Sequence, residues 1–472
     1  MKEKSFIIII ALLYIVLGTA VCRAQTLEEV LGYGLPVVVV NTVNGEEPTS
    51  TRIDHPAGCV GSSLTDVVPK EGRMQIYRAD TLWYDSGDYE KDKSGMIIKH
   101  RGNTSAVFYP NKPFKLTLQK KADLVMTPYD DDTDRRSKHW VLLNSSFSLN
   151  TIYGYWLETM IDMEFPTREE FVNVVINNDY RGIYILSENI KRANNRVDVD
   201  VNGGYIIELN AYHWKETLSI PSIFTRVLAW TFKYPEVDDL TEEMAEGIRS
   251  DVDRLEKSAT SHDYSEVIDT KSVARWTLLQ DILSTHDPAG TNLFVARKNR
   301  DASSLMRMPV GWDLASSMEH IDVWSRTHIE PGIFIRKLFD NQFCQDFSIQ
   351  FMNEWKRVKQ AKVMQRMAEA CLAFPSTNQG QGLKLSYPHH AKRWGTKVYD
   401  VEKMSEAGAK WFTDREQHID SLMQILSDET TSIRMPRENP ASKAVIRKEI
   451  RNNGIYIIKD GKAYSPDGRR IR

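Results

Sequence analysis

Phe171-Val-Asn-Val-Val-Ile-Asn-Asn-Asp-Tyr-Arg-Gly-Ile-Tyr-Ile-Leu-Ser187 decides the fold class. Two runs rich in β-branched and aromatic residues flank a short polar stretch that contains Gly182. The pattern predicts two strands, Phe171 to Asn177 and Gly182 to Ser187, joined by a hairpin turn at 178–181. Upstream the same texture recurs. Leu35-Pro-Val-Val-Val-Val-Asn41 reads as a buried strand, and Met74 to Tyr84, Gly95 to His100, Phe114 to Leu118 and Trp140 to Leu143 read as further strands. Residues 44–70, rich in Gly, Pro, Ser and Thr, read as loops. A helix is expected at Leu149 to Met163, before Pro166, and another strand at Gly204 to Leu209.

Downstream the period changes. Residues 241–258, 271–286, 346–372 and 391–426 place apolar side chains at helical spacing. Strands first and helices later imply an α+β architecture, with a β-rich N-terminal lobe and a helical C-terminal lobe. The tail, Asn453 to Gly461 and Pro466-Asp-Gly468, reads as a small hairpin after the Pro-containing linker 435–440. The expected organisation is a linker at 25–34, a domain at 35–430 with lobes of about 35–210 and 211–430, and a linker and hairpin at 431–472.

The first residues read as an export signal. Lys2 and Lys4 precede the apolar run Phe6 to Leu17, and Cys22-Arg23-Ala24 offers a small-x-small site before Gln25. A bilayer span needs roughly 20 apolar residues, so cleavage after Ala24 is favoured over an uncleaved anchor, and lipidation of Cys22 is disfavoured by the bulk of Val21. Removing residues 1–24 takes three of the 61 basic and one of the 64 acidic side chains, moving the formal charge from −3 to −5. The remaining cysteines are Cys59, Cys344 and Cys371, which allow one disulfide at most; Cys344 and Cys371 share a helical region and could pair, but the unpaired reading is favoured. No second stretch is apolar enough to span a membrane. The expectation is a soluble product exported to the periplasm, surface or surroundings of a bacterial cell. The near-neutral balance excludes a dedicated nucleic-acid binder, and 41% hydrophobic residues exclude disorder.

Three pieces carry chemistry together. Lys115 sits inside the strand Phe114–Leu118, where an ammonium needs a partner such as a phosphate. Asp287 and Asn292 stand five residues apart in Asp287-Pro-Ala-Gly-Thr-Asn292, a spacing also found in protein-kinase catalytic loops, although turns select the same residue types. Asp313, in Met308-Pro-Val-Gly-Trp-Asp313-Leu-Ala315, follows 21 residues later, where a kinase places a metal-binding Asp. The four Asp of 127–136 lack the liganding spacing of a Ca²⁺ loop and read as a solvated turn. Trp156, Trp276, Trp312, Trp355 and Trp394 fall at apolar positions, which favours a core role over sugar binding.

At these residues the chain resembles the CotH kinase family of secreted atypical kinases. The resemblance rests on Leu35-Pro-Val-Val-Val-Val-Asn-Thr42, Arg101-Gly-Asn-Thr-Ser105, Lys112-Pro-Phe-Lys-Leu116, Trp140-Val-Leu-Leu-Asn144, Gly182-Ile-Tyr-Ile-Leu-Ser-Glu188, Gly203-Gly-Tyr-Ile-Ile-Glu208 and Pro309-Val-Gly-Trp-Asp313, over about 35–425. It implies a bilobed atypical protein-kinase-like fold that uses ATP and Mg²⁺ or Mn²⁺ to phosphorylate Ser or Thr of exported proteins. Lys115 and Arg101 would contact the nucleotide, Asp287 would be the catalytic carboxylate, and Asn292 and Asp313 would hold the metal. Glu188 falls where a hinge to adenine is expected, and Glu158 is the candidate partner of Lys115. Related sequences often carry a second Asp two residues after the Trp-Asp pair, where this chain has Ala315. A catalytically inactive kinase-like module of the cell envelope is therefore the alternative.

Overall fold

The computed structural model describes residues 26–126, 134–144, 149–261, 263–286, 290, 292–321, 333–340, 345–434, 447–451, 454–459 and 462–464. The leader, Asp287, Cys344 and most of the Asp-rich turn at 127–136 lie outside the described residues. Of that turn, Asp134 is exposed and paired with Arg136. The strands are β1 (Val37–Thr42), β2 (Thr49–Asp54), β3 (Ser62–Val68), β4 (Lys70–Arg78), β5 (Thr81–Asp85), β6 (Met96–His100), β7 (Phe114–Ala122), β8 (Ser137–Leu143), β9 (Glu169–Ile176), β10 (Asp179–Glu188), β11 (Tyr205–Asn210), β12 (Ser219–Pro221), β13 (Ala229–Tyr234), β14 (Leu293–Arg297), β15 (Met306–Arg307), β16 (Arg447–Arg451), β17 (Gly454–Lys459) and β18 (Lys462–Tyr464). The helices are α1 (Leu27–Leu31), α2 (Thr104–Phe108), α3 (Asn150–Met160), α4 (Glu242–Ser258), α5 (Thr270–Leu283), α6 (Phe334–Asp340), α7 (Gln345–Gln360), α8 (Val363–Ala373), α9 (Asn378–Trp394) and α10 (Val401–Arg434). This is the expected mixed α+β order, β-rich first and helical later.

The first sheet runs β1-β9-β10-β8-β7-β6-β4-β5, and β1 also pairs with β4 over Val37–Thr42. That pairing closes seven strands into a barrel and leaves β5 hanging from β4. Alternation decides what fills it. Val38 and Val40, Met74 and Ile76, Met96 and Ile98, Leu116 and Leu118, Trp140 and Leu142, Val172 and Val174, and Tyr184 and Leu186 form one buried cluster. The interior is packed solid. Residues between them, Lys99, Lys115 and Val141 among them, belong to the outer wall.

Val141 joins a second cluster with Phe165, Ile206, Phe294, Val310 and Trp312. Ile206 and Phe294 belong to a five-stranded sheet ordered β12-β13-β11-β14-β15. This apolar seam fastens the outer wall of the barrel to the second sheet. The described residues up to Ile419 form one compact unit, and those from Asp420 form another, which holds the end of α10 and the sheet β16-β17-β18.

Several local expectations are corrected. Residues 44–70 contain the hairpin β2–β3. The single strand expected at Met74–Tyr84 is the hairpin β4–β5, turning at Ala79 with φ of 52°. The β9–β10 turn sits at Asn177-Asn178, whose φ values of 50° and 63° match the left-handed pair a two-residue hairpin needs. Lys362, at φ 52°, divides the helix expected at 346–372, and Gly395, at φ 66°, divides the later one into α9 and α10. Cys371 is a free buried thiol, as the favoured unpaired reading has it. Trp276, Trp312 and Trp355 are buried as expected, while Trp156 and Trp394 are half-buried. No helix among the described residues is long and apolar enough to cross a membrane.

Candidate active site

Strand register places Lys99 directly opposite Lys115 on the outer wall. Arg101 follows two residues after Lys99, at the point where its backbone N–H donates to the Pro113 carbonyl at 3.1 Å and closes the β6–β7 connection. Gly102, at φ 92°, makes the turn into α2 possible. Like charges facing each other across a ladder are unfavourable. Among the described residues, none of these three cations has a carboxylate at ion-pair distance. Burial, helped by Lys191, Lys99 and Arg101, pushes the Lys115 ammonium down to about 8. His139, on the same wall, is pushed down to about 4 by burial and by Lys191 and Lys115. Lys191 is already paired with Glu236 at 2.8 Å.

Arg101 lies over the Trp312 ring, 5.7 Å from its centroid. Burial lowers its pKa, and Asp313, Tyr155 and Glu208 act in the opposite direction. Asp313 is exposed, and its backbone is left-handed at φ 54°. Such a conformation costs a non-glycine residue of order 1 kcal/mol and is found at functional sites. The Tyr155 hydroxyl, fully buried on α3, has no hydrogen-bond partner among the described residues, and Asp313 and Arg101 both act on it electrostatically. Asn292 is buried just before β14. Phe294, two residues on, packs in the same apolar cluster as Trp312, the residue before Asp313. Gly290, near Asn292, accepts a backbone hydrogen bond from Ala211 at 2.8 Å.

Two expected nucleotide contacts are committed elsewhere. Glu158 on α3 accepts from the Gly311 N–H at 2.6 Å and the Thr167 N–H at 3.0 Å, and makes no ion pair with Lys115. Burial pushes this carboxyl up to about 8, against the pull of those two amides. A carboxyl has two acceptor oxygens, and here each serves a different segment. Glu158 thereby fixes the chain two residues before Asp313. Gly311 must be glycine at this point, because a Cβ would stand 2.6 Å from Glu158 Oε1.

Glu188 is fully buried at the end of β10. Its side chain meets Arg196 at 2.7 Å, Arg168 at 3.0 Å and Arg135 at 3.5 Å, and accepts the Arg168 backbone N–H at 3.0 Å. That hub commits the Glu188 side chain, and the Glu188 backbone N–H donates to Arg168 O at 3.1 Å. Lys99 and Tyr155 escape the sequence reading. Lys99 was legible through the period-2 relation to Arg101, and Tyr155 through its helical spacing from Glu158.

The donor set suits a hard cation and a polyphosphate. A carboxylate and an amide oxygen are the ligands that Mg²⁺ or Mn²⁺ takes, and unpaired Lys and Arg are phosphate partners. No curated protein matches the chain. The family model described as CotH kinase protein matches residues 98–369, from β6 into α8, and spans Arg101, Lys115, Glu158, Glu188, Asn292 and Asp313. With more than half of its length matched, the chain belongs to the CotH kinase family.

Proposed function

We propose that this protein is an exported, ATP-dependent atypical kinase that phosphorylates Ser or Thr of secreted or surface proteins. One observation carries the reading: Lys99 and Lys115 face each other on one wall, Arg101 follows in the loop after β6, none of the three has a carboxylate at ion-pair distance among the described residues, and Arg101 lies in the field of Asp313. Buried Lys115 and Arg101, with no carboxylate at ion-pair distance among the described residues, favour binding a strongly anionic ligand. Arg101 and Lys115 take phosphate oxygens, while Asn292 and Asp313 hold Mg²⁺ or Mn²⁺. A bound cation neutralises charge between the nucleotide phosphates. Asp287 accepts the proton of the substrate hydroxyl as it attacks the terminal phosphoryl group. The barrel and helical regions act as the two lobes, and export rests on the leader at 1–24.

The test is incubation of the protein with labelled ATP and Mg²⁺ or Mn²⁺. Phosphate incorporation is expected, falling at least about a hundredfold in Asp287→Ala, and comparably in Asp313→Asn. Undiminished incorporation in both variants overturns the assignment. Ala315 favours a second reading, in which the site binds nucleotide without transferring phosphate. ATP binding that needs Lys115 and Arg101, with no incorporation into any protein, selects that reading.

A further inference from the structure

His286, Glu319 and His320 are exposed, and each offers one donor atom in a group whose atoms all lie within 4.8 Å of one another. His286 Nε2 stands 3.7 Å from Glu319 Oε2, and the two imidazole rings are edge-on with centroids 4.7 Å apart. A tetrahedral ion with ligands at about 2.1 Å needs donors roughly 3.4 Å apart. The first pair is within a few tenths of that, and small rotamer changes of exposed side chains supply the rest.

The backbone brings these residues together by several bonds. The His286 N–H donates to Ser316 O at 2.9 Å, and the Met318 N–H donates to Leu283 O at 2.7 Å. The Ser284 hydroxyl donates to His320 O at 2.6 Å. Fully buried Arg415 donates to Asp281 O at 2.8 Å and also to Ile321 O, gripping the end of α5 and the residue after His320. Left-handed Ser284 and Met318, at φ 50° and 60°, turn each segment toward the other. Two segments distant in sequence are thus held in register before any ion arrives.

We infer that His286, Glu319 and His320 form a site for one divalent first-row transition ion, Zn²⁺ by donor type, separate from the Asn292/Asp313 pair. Two borderline imidazoles beside one hard carboxylate suit Zn²⁺, Co²⁺ or Fe²⁺ better than Mg²⁺, which prefers oxygen donors alone. Exposure leaves the remaining coordination positions to water. The ion cross-links the segment after α5, which leads into Asp287, to the segment after Asp313.

Co²⁺ added to chelator-stripped protein without nucleotide gives the test, read by visible d–d absorption and by competition with Zn²⁺. One Co²⁺ per chain is expected, displaced by Zn²⁺, with affinity weakened at least about tenfold in His320→Ala and in Glu319→Gln. Asp313→Asn is expected to bind Co²⁺ as wild type does, so this result is independent of phosphoryl transfer. Metal-free unfolding midpoints of the variants confirm that they fold, and because the two substituted side chains are exposed these should match wild type. Wild-type Co²⁺ affinity in both variants, or no Co²⁺ absorption by the wild-type protein, overturns the site.

Discussion

At the scale of single residues, the ammonium of Lys115 makes the site sensitive to pH. Its pKa of about 8 is below the usual lysine value because burial and neighbouring cations disfavour the charge. Phosphate binding favours the protonated form, so nucleotide affinity is expected to weaken as pH rises above about 8, by up to tenfold per unit. Isothermal titration of ATP at pH 7, 8 and 9 measures this, and Lys115→Arg should flatten the profile because guanidinium does not titrate there. Glu188 makes the opposite kind of prediction. Glu188→Gln leaves Arg135, Arg168 and Arg196 without their buried acid, and should cost about 3 kcal/mol or more in denaturant unfolding. ATP affinity in the folded variant should be unchanged, and a selective loss of ATP binding would restore a side-chain role at the nucleotide. Lys115, Asn292 and Asp313 were singled out by residue type and order along the chain, which local sequence carries. The true partners of Glu158 and Glu188 were not, because two backbone amides and three arginines meet them only after folding.

At the scale of elements, α3 and the segment 308–313 are joined through one carboxyl. The Glu158 pKa, raised to about 8 from an ordinary 4.5, means that the folded state keeps a proton the unfolded chain has lost. Its contribution to stability is therefore whole below about pH 4.5 and is lost as pH rises toward 8. Glu158→Gln should remove that slope from a series of unfolding curves. Gly311→Ala forces a methyl against Glu158 Oε1 and Leu279 Cδ2, at 2.6 and 2.5 Å, and is expected to cost about 1–3 kcal/mol. A variant with an unchanged midpoint would show that α3 yields freely. Helices α4 and α5 were readable from their period, and in the structure Thr241 accepts from Met244 N and Asp269 from Lys271 N as their caps. Strand β13 was missed, although Ala-Trp-Thr-Phe-Lys-Tyr alternates, because nothing local distinguishes it from a loop with buried aromatics.

At the scale of the whole molecule, barrel closure is the property no local pattern announced. The β1–β4 ladder joins residues thirty to forty positions apart, and only the ring explains why alternate residues of seven strands are buried together. Hydrogen exchange tests it. Amides of β1, bonded on both sides to β4 and β9, should exchange as slowly as those of β7 and β8, whereas β12, β15 and β5 should exchange fast. Edge-like exchange in β1 would mean an open sheet. A closed ring also bears on how another polypeptide is engaged. Each of its seven strands is paired on both sides over at least part of its length, so the terminal edge of this sheet is β5, outside the ring. On the proposed function, recognition of a protein substrate within the ring would then fall to side chains and loops around the accepting hydroxyl rather than to strand addition.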